Sequence, residues 1–147
     1  MDTTPIVAHL SVIADCVNAL KELCPLTYDE FAREHVLVGS AERDFQVAIQ
    51  AALDIGAHLL ADLSAQVPSD YRDIFPKMAE VGILPSDFAQ KLVGMAKFRN
   101  VLVHIYLEVD LKKVYHYLQH DLDDLELFAR YVSDYLAQHS NDDVPQV

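Results

Sequence analysis

The sequence predicts an all-α antiparallel bundle of five to seven helices, and three observations predict it. Apolar residues recur at alternating spacings of three and four along most of the chain. Cap and breaker residues divide that rhythm at intervals suited to helices. No segment shows the period-two alternation of a half-buried strand flanked by turns. A chain of 147 residues, 52% apolar and 23% charged, can bury one core without disulfide or metal staples. We expect a single domain over residues 1–138 and a frayed polar tail over 139–147.

Ile6, Leu10, Ile13, Val17, Leu20 and Cys24 form the first stripe, and Pro25 stops it, so a helix is predicted from Pro5 to Leu23. Thr27 and Glu30 have the spacing of a capping box, which starts a short helix reaching Val36 or Leu37, with Gly39 as its end. Ser40 is the next cap. Phe45, Ile49, Ala52, Gly56, Leu59 and Leu63 then mark the longest helix, running through Ser64. Gln50, Asp54, His58 and Asp62 make a polar column on its side, which reads first as a solvated face. Tyr71 to Val81 is helical in pattern, but Pro76 should kink or split it unless it falls in a first turn.

Pro85-Ser86-Asp87 carries start signals for a helix ending between His104 and Leu107. Asp110 caps the last helical stretch, with Leu111, Val114, Tyr115 and Leu118 inward and Leu122, Leu125, Ala129, Val132 and Leu136 continuing the stripe to Gln138. A break between Gln119 and Asp121 is left open.

Composition narrows the functional classes. No run approaches the roughly 18 apolar residues of a membrane span, and Met1-Asp2-Thr3-Thr4-Pro5 lacks the plan of a signal peptide, so a cytoplasmic protein with no membrane partner is expected. Cys16 and Cys24 are eight residues apart, about 12 Å along one helix and too far for a disulfide. The net charge of −12 argues at first against nucleic acid. Between Lys91 and Lys113, however, five basic residues stand against Glu108 and Asp110, a local excess of three positive charges that can focus an anion.

The stretch on that positive island is Lys97 to Tyr106. Phe88, Leu92, Met95 and Leu102 lie on one helix face, and the position of that face between the last two is Arg99. Burying an unpaired guanidinium costs several kcal/mol, so Arg99 needs a carboxylate, a subunit interface or an anionic ligand. Arg99 and His104 are about 140° apart on one helix and diverge, whereas Asn100 and His104 share a face. Arg, Asn and His suit phosphodiester chemistry without a metal: His exchanges protons near neutral pH, Arg stabilises phosphorane charge and Asn orients a hydroxyl. The plainer reading pairs Arg99 with a carboxylate and leaves His104 near a helix C-terminus. His116, His120 and Asp124 form an i, i+4, i+8 column, read as solvated rather than metal-binding. Tyr115, Tyr117, Tyr131 and Tyr135 have the spacing of packing residues rather than base-stacking platforms. No glycine-rich phosphate loop is present.

Arg99-Asn100-Val101-Leu102-Val103-His104-Ile105-Tyr106 resembles the Arg-x4-His-x-Tyr signature of the HepT-like toxins, within the HEPN ribonuclease superfamily. Gln50 to Leu59 resembles the family's long second helix, Gly82 to Pro85 and Met95 to Asn100 its approach to the site, and Leu122 to Phe128 its last helix. The resemblance implies a HEPN-like homodimer with a composite site between two motif helices. It implies metal-independent RNA cleavage by 2'-hydroxyl attack, with His104 as general acid or base, Arg99 as phosphate stabiliser and Asn100 in support. It also implies a minimal nucleotidyltransferase antitoxin that transfers AMP to Tyr106, with no cofactor in the chain itself and RNA, not DNA, as substrate. A noncatalytic helical domain that binds a partner or a nucleotide is the alternative.

Overall fold

The computed structural model of the chain describes residues 2–103 and 110–142. Within them it forms seven α-helices and one 3₁₀ turn, with no strand among the described residues. The helices are α1 (Thr4–Lys21), α2 (Tyr28–Ala32), α3 (His35–Asp62), α4 (Ile74–Glu80), α5 (Ser86–Val103), α6 (Leu111–His120) and α7 (Leu122–Asp142). The 3₁₀ turn is Tyr71–Asp73.

Helix α3 is the axis of the bundle. Its 28 residues span about 42 Å, and α1, α4, α5 and α7 all pack against it. It therefore buries more than one stripe: Phe45, Ile49, Ala52, Gly56 and Leu59 are joined by Ala48, Leu53, Ile55 and Leu60. Leu63, placed inward by the pattern, is exposed because the helix has just ended there.

The start of α3 departs from the sequence reading. Gly39 does not end a helix and Ser40 does not cap one; both lie inside α3, and the break comes earlier, at Arg33 and Glu34. A glycine inside a helix costs only about 1 kcal/mol, while burying Val38 and Phe45 on either side is worth about 1.5–3 kcal/mol each. The capping box of α2 is present, with Thr27 Oγ1 accepting from the Glu30 amide at 3.2 Å and Glu30 Oε1 accepting from the Thr27 amide at 3.0 Å.

Pro76 is the third residue of α4, where its missing N–H has no helical partner to lose, so the helix tolerates it. The irregularity falls just upstream, in the 3₁₀ turn. Helix α4 ends in a Schellman turn: Gly82 has φ of 89°, its amide donates to Ala79 and the Ile83 amide to Met78 at 2.9 Å. Where α4 crosses α3, it lies on Gly56; a Cβ there would stand 2.5 Å from Ile74 Cγ2 and 2.9 Å from Met78 Sδ.

The break left open near residue 120 exists at Asp121, between α6 and α7. Asp110 caps α6, accepting from the Lys112 amide at 3.0 Å. Helix α7 runs to Asp142, past the end read at Gln138, and His139 Nδ1 lies 2.9 Å from the Tyr135 carbonyl with the two rings stacked at 3.9 Å. The rest of the expected tail, 143–147, lies outside the described residues. No helix among the described residues is long and apolar enough to cross a membrane.

Candidate active site

Phe98 fixes the orientation of the motif. Its buried ring stacks on Tyr117 at 4.2 Å and meets the edge of Phe45 at 5.7 Å, tying α5 to α6 and α3. The Tyr117 hydroxyl donates to the Gly94 carbonyl at 3.2 Å, adding a second tie. With Phe98 turned inward, the next step of 100° brings Arg99 to the rim of the core. There it is half-buried, as is Asn100.

The guanidinium has three kinds of neighbour. Nη1 donates to Asn100 Oδ1 at 3.0 Å. Cζ sits 4.9 Å from the centre of the Tyr71 ring, a cation–π contact. Nε is buried and has no hydrogen-bond partner among the described residues. Nor does Arg99 pair with a carboxylate among them. Of the three partners open from the sequence, a carboxylate among the described residues is therefore not the one that Arg99 has.

The carboxylate beside Tyr71 is already engaged. Asp70 accepts from the Arg72 amide at 2.9 Å and from the Arg72 guanidinium, Nη2 at 2.7 Å. Those bonds hold its carboxyl at a pKa of about 2, so the clamp is charged throughout neutral and mildly acidic solution. It fixes the 3₁₀ turn that presents Tyr71 to Arg99.

Arg99 opens onto a cleft of about 310 Å³ between α1, α3 and α5. Arg43, Gln50, Asp54 and His9 are among the residues that line it. Gln50 Nε2 donates to Asp54 Oδ1 at 2.8 Å, and His9 Nε2 lies 3.4 Å from Asp54 Oδ2. The upper half of the polar column thus lines the cleft, with Gln50 half-buried and Asp54 exposed to solvent as a solvated face would have it. Its lower half, His58 and Asp62, pairs on the surface at 3.3 Å. The signal that could have separated them is polar residues on a helix buried on its other sides.

The motif residues His104 and Tyr106 lie outside the described residues, as does Glu108 of the positive island. Lys91, another member of the island, is taken up by buried Asp124 at 3.2 Å. That pairing also removes Asp124 from the His116–His120 column, whose two rings lie 4.6 Å apart on α6 while Asp124 is on α7. No group of three metal-binding side chains occurs among the described residues.

The tyrosines pack. Tyr115 donates to the Leu26 carbonyl at 2.6 Å, and Tyr131 lies 5.3 Å from Phe88. Cys16 and Cys24 are free, and burial pushes both thiols up, leaving them protonated and poorly nucleophilic at neutral pH.

Residues 13–132 match the family described as ribonuclease HepT-like. The chain is 27% identical over 123 residues to a Shewanella oneidensis protein named mRNA nuclease HepT, a match covering 84% of this chain and 92% of that one. It is 26% identical over 128 residues to an Aphanizomenon flos-aquae protein named tRNA nuclease HepT, covering 87% of each. Among solved structures, the tri-AMPylated HEPN toxin of Shewanella oneidensis in complex with MNT antitoxin is similar at a TM-score of 0.82 and 25% identity, over 91% of this chain and 99% of that one. Bacillus subtilis YutE, a cytosolic protein of unknown function, shares the fold at a TM-score of 0.82 and 17% identity.

Proposed function

The chain belongs to the HepT-like ribonuclease family, and from that premise we propose that it is the cytoplasmic RNA-cleaving toxin of a toxin–antitoxin pair. Two protomers contribute Arg99, Asn100 and His104 to one cleft. The observation that carries this reading is the state of Arg99: a half-buried guanidinium, oriented by Asn100 and Tyr71, with a buried N–H left over and no carboxylate partner among the described residues. Such a group is preorganised for a phosphate, whose oxygens match the guanidinium fork.

In the reaction, the RNA 2'-oxygen bonds to phosphorus and the bond to the 5'-oxygen breaks, leaving a 2',3'-cyclic phosphate and a 5'-hydroxyl. His104 exchanges protons with these oxygens, as general acid or base, and Arg99 neutralises the charge that builds on the phosphorane. No step calls for a metal. Purified protein is accordingly expected to cleave RNA in EDTA, and His104→Ala to abolish cleavage while the helical circular dichroism is kept. A folded His104→Ala variant with parental activity would remove His104 from the site.

The partner is a minimal nucleotidyltransferase antitoxin. It silences the site by joining the α-phosphate of ATP to the Tyr106 oxygen, with pyrophosphate leaving. Each attached AMP adds negative charge and bulk near Arg99, which opposes RNA binding. The support is the relative whose structure is that of a tri-AMPylated toxin with its MNT antitoxin. Coexpression with such an enzyme should raise the intact mass by whole AMP units, and Tyr106→Phe should prevent it; the same additions on the Phe variant would point to another acceptor.

A further inference from the structure

The lysines of this acidic chain divide by whether they hold a carboxylate. Lys21 lies 2.6 Å from Glu126, Lys77 3.1 Å from Glu80 and Lys91 3.2 Å from Asp124. Lys97, Lys112 and Lys113 are exposed and hold none among the described residues. With 23 acidic side chains against 11 of Lys and Arg, a shortage of carboxylates does not explain three unpaired ammonium groups where α5 meets α6.

Two of them share a cleft. Lys97 from α5 and Lys113 from the first turn of α6 line a hollow of about 420 Å³, together with Val101, Asp110 and Tyr117. Asp110 accepts from the Lys112 amide as the cap of α6, and its charge leaves the lining with an excess of one positive. The Tyr117 hydroxyl is spent on the Gly94 carbonyl, and Val101 is an exposed apolar rim. What the cleft offers a ligand is therefore two ammonium groups beside an apolar edge. The clefts lined by Asp73, Lys77 and Glu80, and by Asp134, have the opposite sign.

The position of this cleft relative to Arg99 matters as much as its charge. Lys97 and Arg99 are two positions apart, hence about 200° around α5 and on opposite flanks of it. Arg99 opens on the cleft with α1 and α3, Lys97 on the cleft with α6. A helix with its side chains is about 10–12 Å across, too wide for one phosphate to touch both flanks. Phosphates spaced along one strand can.

We propose that the cleft between α5 and α6 is a second phosphate site for single-stranded RNA, where Lys97 and Lys113 hold a backbone phosphate farther along the strand from the one at Arg99. The proposal rests on the ribonuclease reading of the motif and adds to it two binding residues outside that motif. A hollow of this volume lies at the small end of ligand sites and admits one nucleotide unit, not a duplex. Ammonium groups that meet phosphate carry no sequence information, so the site holds any base alike.

The test follows binding of the full-length protein to 2'-O-methyl oligo-U and oligo-A, whose blocked 2'-oxygen cannot attack, by fluorescence anisotropy over a range of salt concentrations. The double variant Lys97→Gln, Lys113→Gln should bind both about tenfold more weakly at low salt, through loss of charge-assisted hydrogen bonds. The slope of log affinity against log salt should fall by about 0.7, the value for one phosphate of a single strand. Each single variant should show a smaller loss of the same kind. Lys21→Gln, which removes the same charge from a paired lysine, should show none. An unchanged slope in the double variant, an equal loss in Lys21→Gln, or a parent that does not bind the oligonucleotides overturns the site. A double variant that binds RNA like its parent but no longer copurifies with a coexpressed nucleotidyltransferase puts a protein on the cleft and overturns it too. RNA cleavage in EDTA and its loss in His104→Ala are independent of these readouts. A chain that cleaves RNA with a slope unmoved by both lysines loses only the second site, and one that binds as described but never cleaves RNA loses only the nuclease assignment.

Discussion

Replacing Arg99 by Met should lower the rate of RNA cleavage by about 10²–10³-fold while leaving the protein about as stable as its parent. The loss follows from the proposed mechanism, in which Arg99 is the cation that faces phosphorane charge. Stability follows from weighing what the guanidinium gives against what it costs. Its contact with Tyr71, a ring 41% exposed, is worth about 0.5–1 kcal/mol, and its hydrogen bond to Asn100 about 0.5–1.5 kcal/mol. Its buried, unpaired Nε–H costs about 1–3 kcal/mol, which Met, close in length and apolar, does not incur. Gain and cost nearly cancel. Arg99→Lys keeps the charge but loses the planar fork, so it should fall between parent and Met. Single-turnover cleavage and thermal melts of the three proteins decide the matter: a Met variant within a few-fold of parental activity would exclude Arg99 from the chemistry, and one that melts well below the parent would show that the arginine is structural.

The second large effect lies away from the motif. Gly56→Ala should destabilise the fold by about 1–2 kcal/mol, and Gly56→Leu by more than about 3 kcal/mol. Alanine brings about 1 kcal/mol of helix propensity, so on an open helix face the sign would be reversed. Here the new Cβ would meet Met78 Sδ at 2.9 Å, which a flexible thioether can vacate, and Ile74 Cγ2 at 2.5 Å, which a β-branched side chain cannot. Helix α4 must then lift from α3. At about 2–4 °C per kcal/mol for a chain of this size, the Ala variant should melt roughly 2–8 °C lower. Because α4 follows directly from the turn that carries Tyr71, cleavage should fall as well, through loosening of Arg99. An Ala variant with an unchanged melting temperature would mean that α3 and α4 are farther apart in solution.

Helix stripes were legible because the spacing of Ile6, Ile13, Val17 and Leu20, or of Phe88, Leu92 and Met95, depends only on helix geometry and on one apolar side. Capping was legible for the same local reason, as Thr27 with Glu30 and Asp110 show. Gly39 misled because a local stop signal competes with burial contributed by helices far away in sequence. At the site, the anomaly of Arg99 could be read from one helix, but Tyr71 beneath it comes from another segment with no motif of its own. Gln50 and Asp54 were visible as a polar column; that they line a cleft depends on where α1 and α5 lie beside α3. Tertiary placement decides such cases.

The Asp70–Arg72 clamp sets Tyr71 under Arg99 from a short turn outside the motif helix. The strength of the nuclease can therefore be graded without editing its reacting groups. A change at Tyr71, or a weaker clamp, loosens the guanidinium by fractions of a kcal/mol, where a change at Arg99 is close to all or nothing. Under the proposed toxin function, that turn is a volume control: lineages could tune toxicity to the potency of an antitoxin in small steps, and an engineer seeking a tolerable RNase has the same handle.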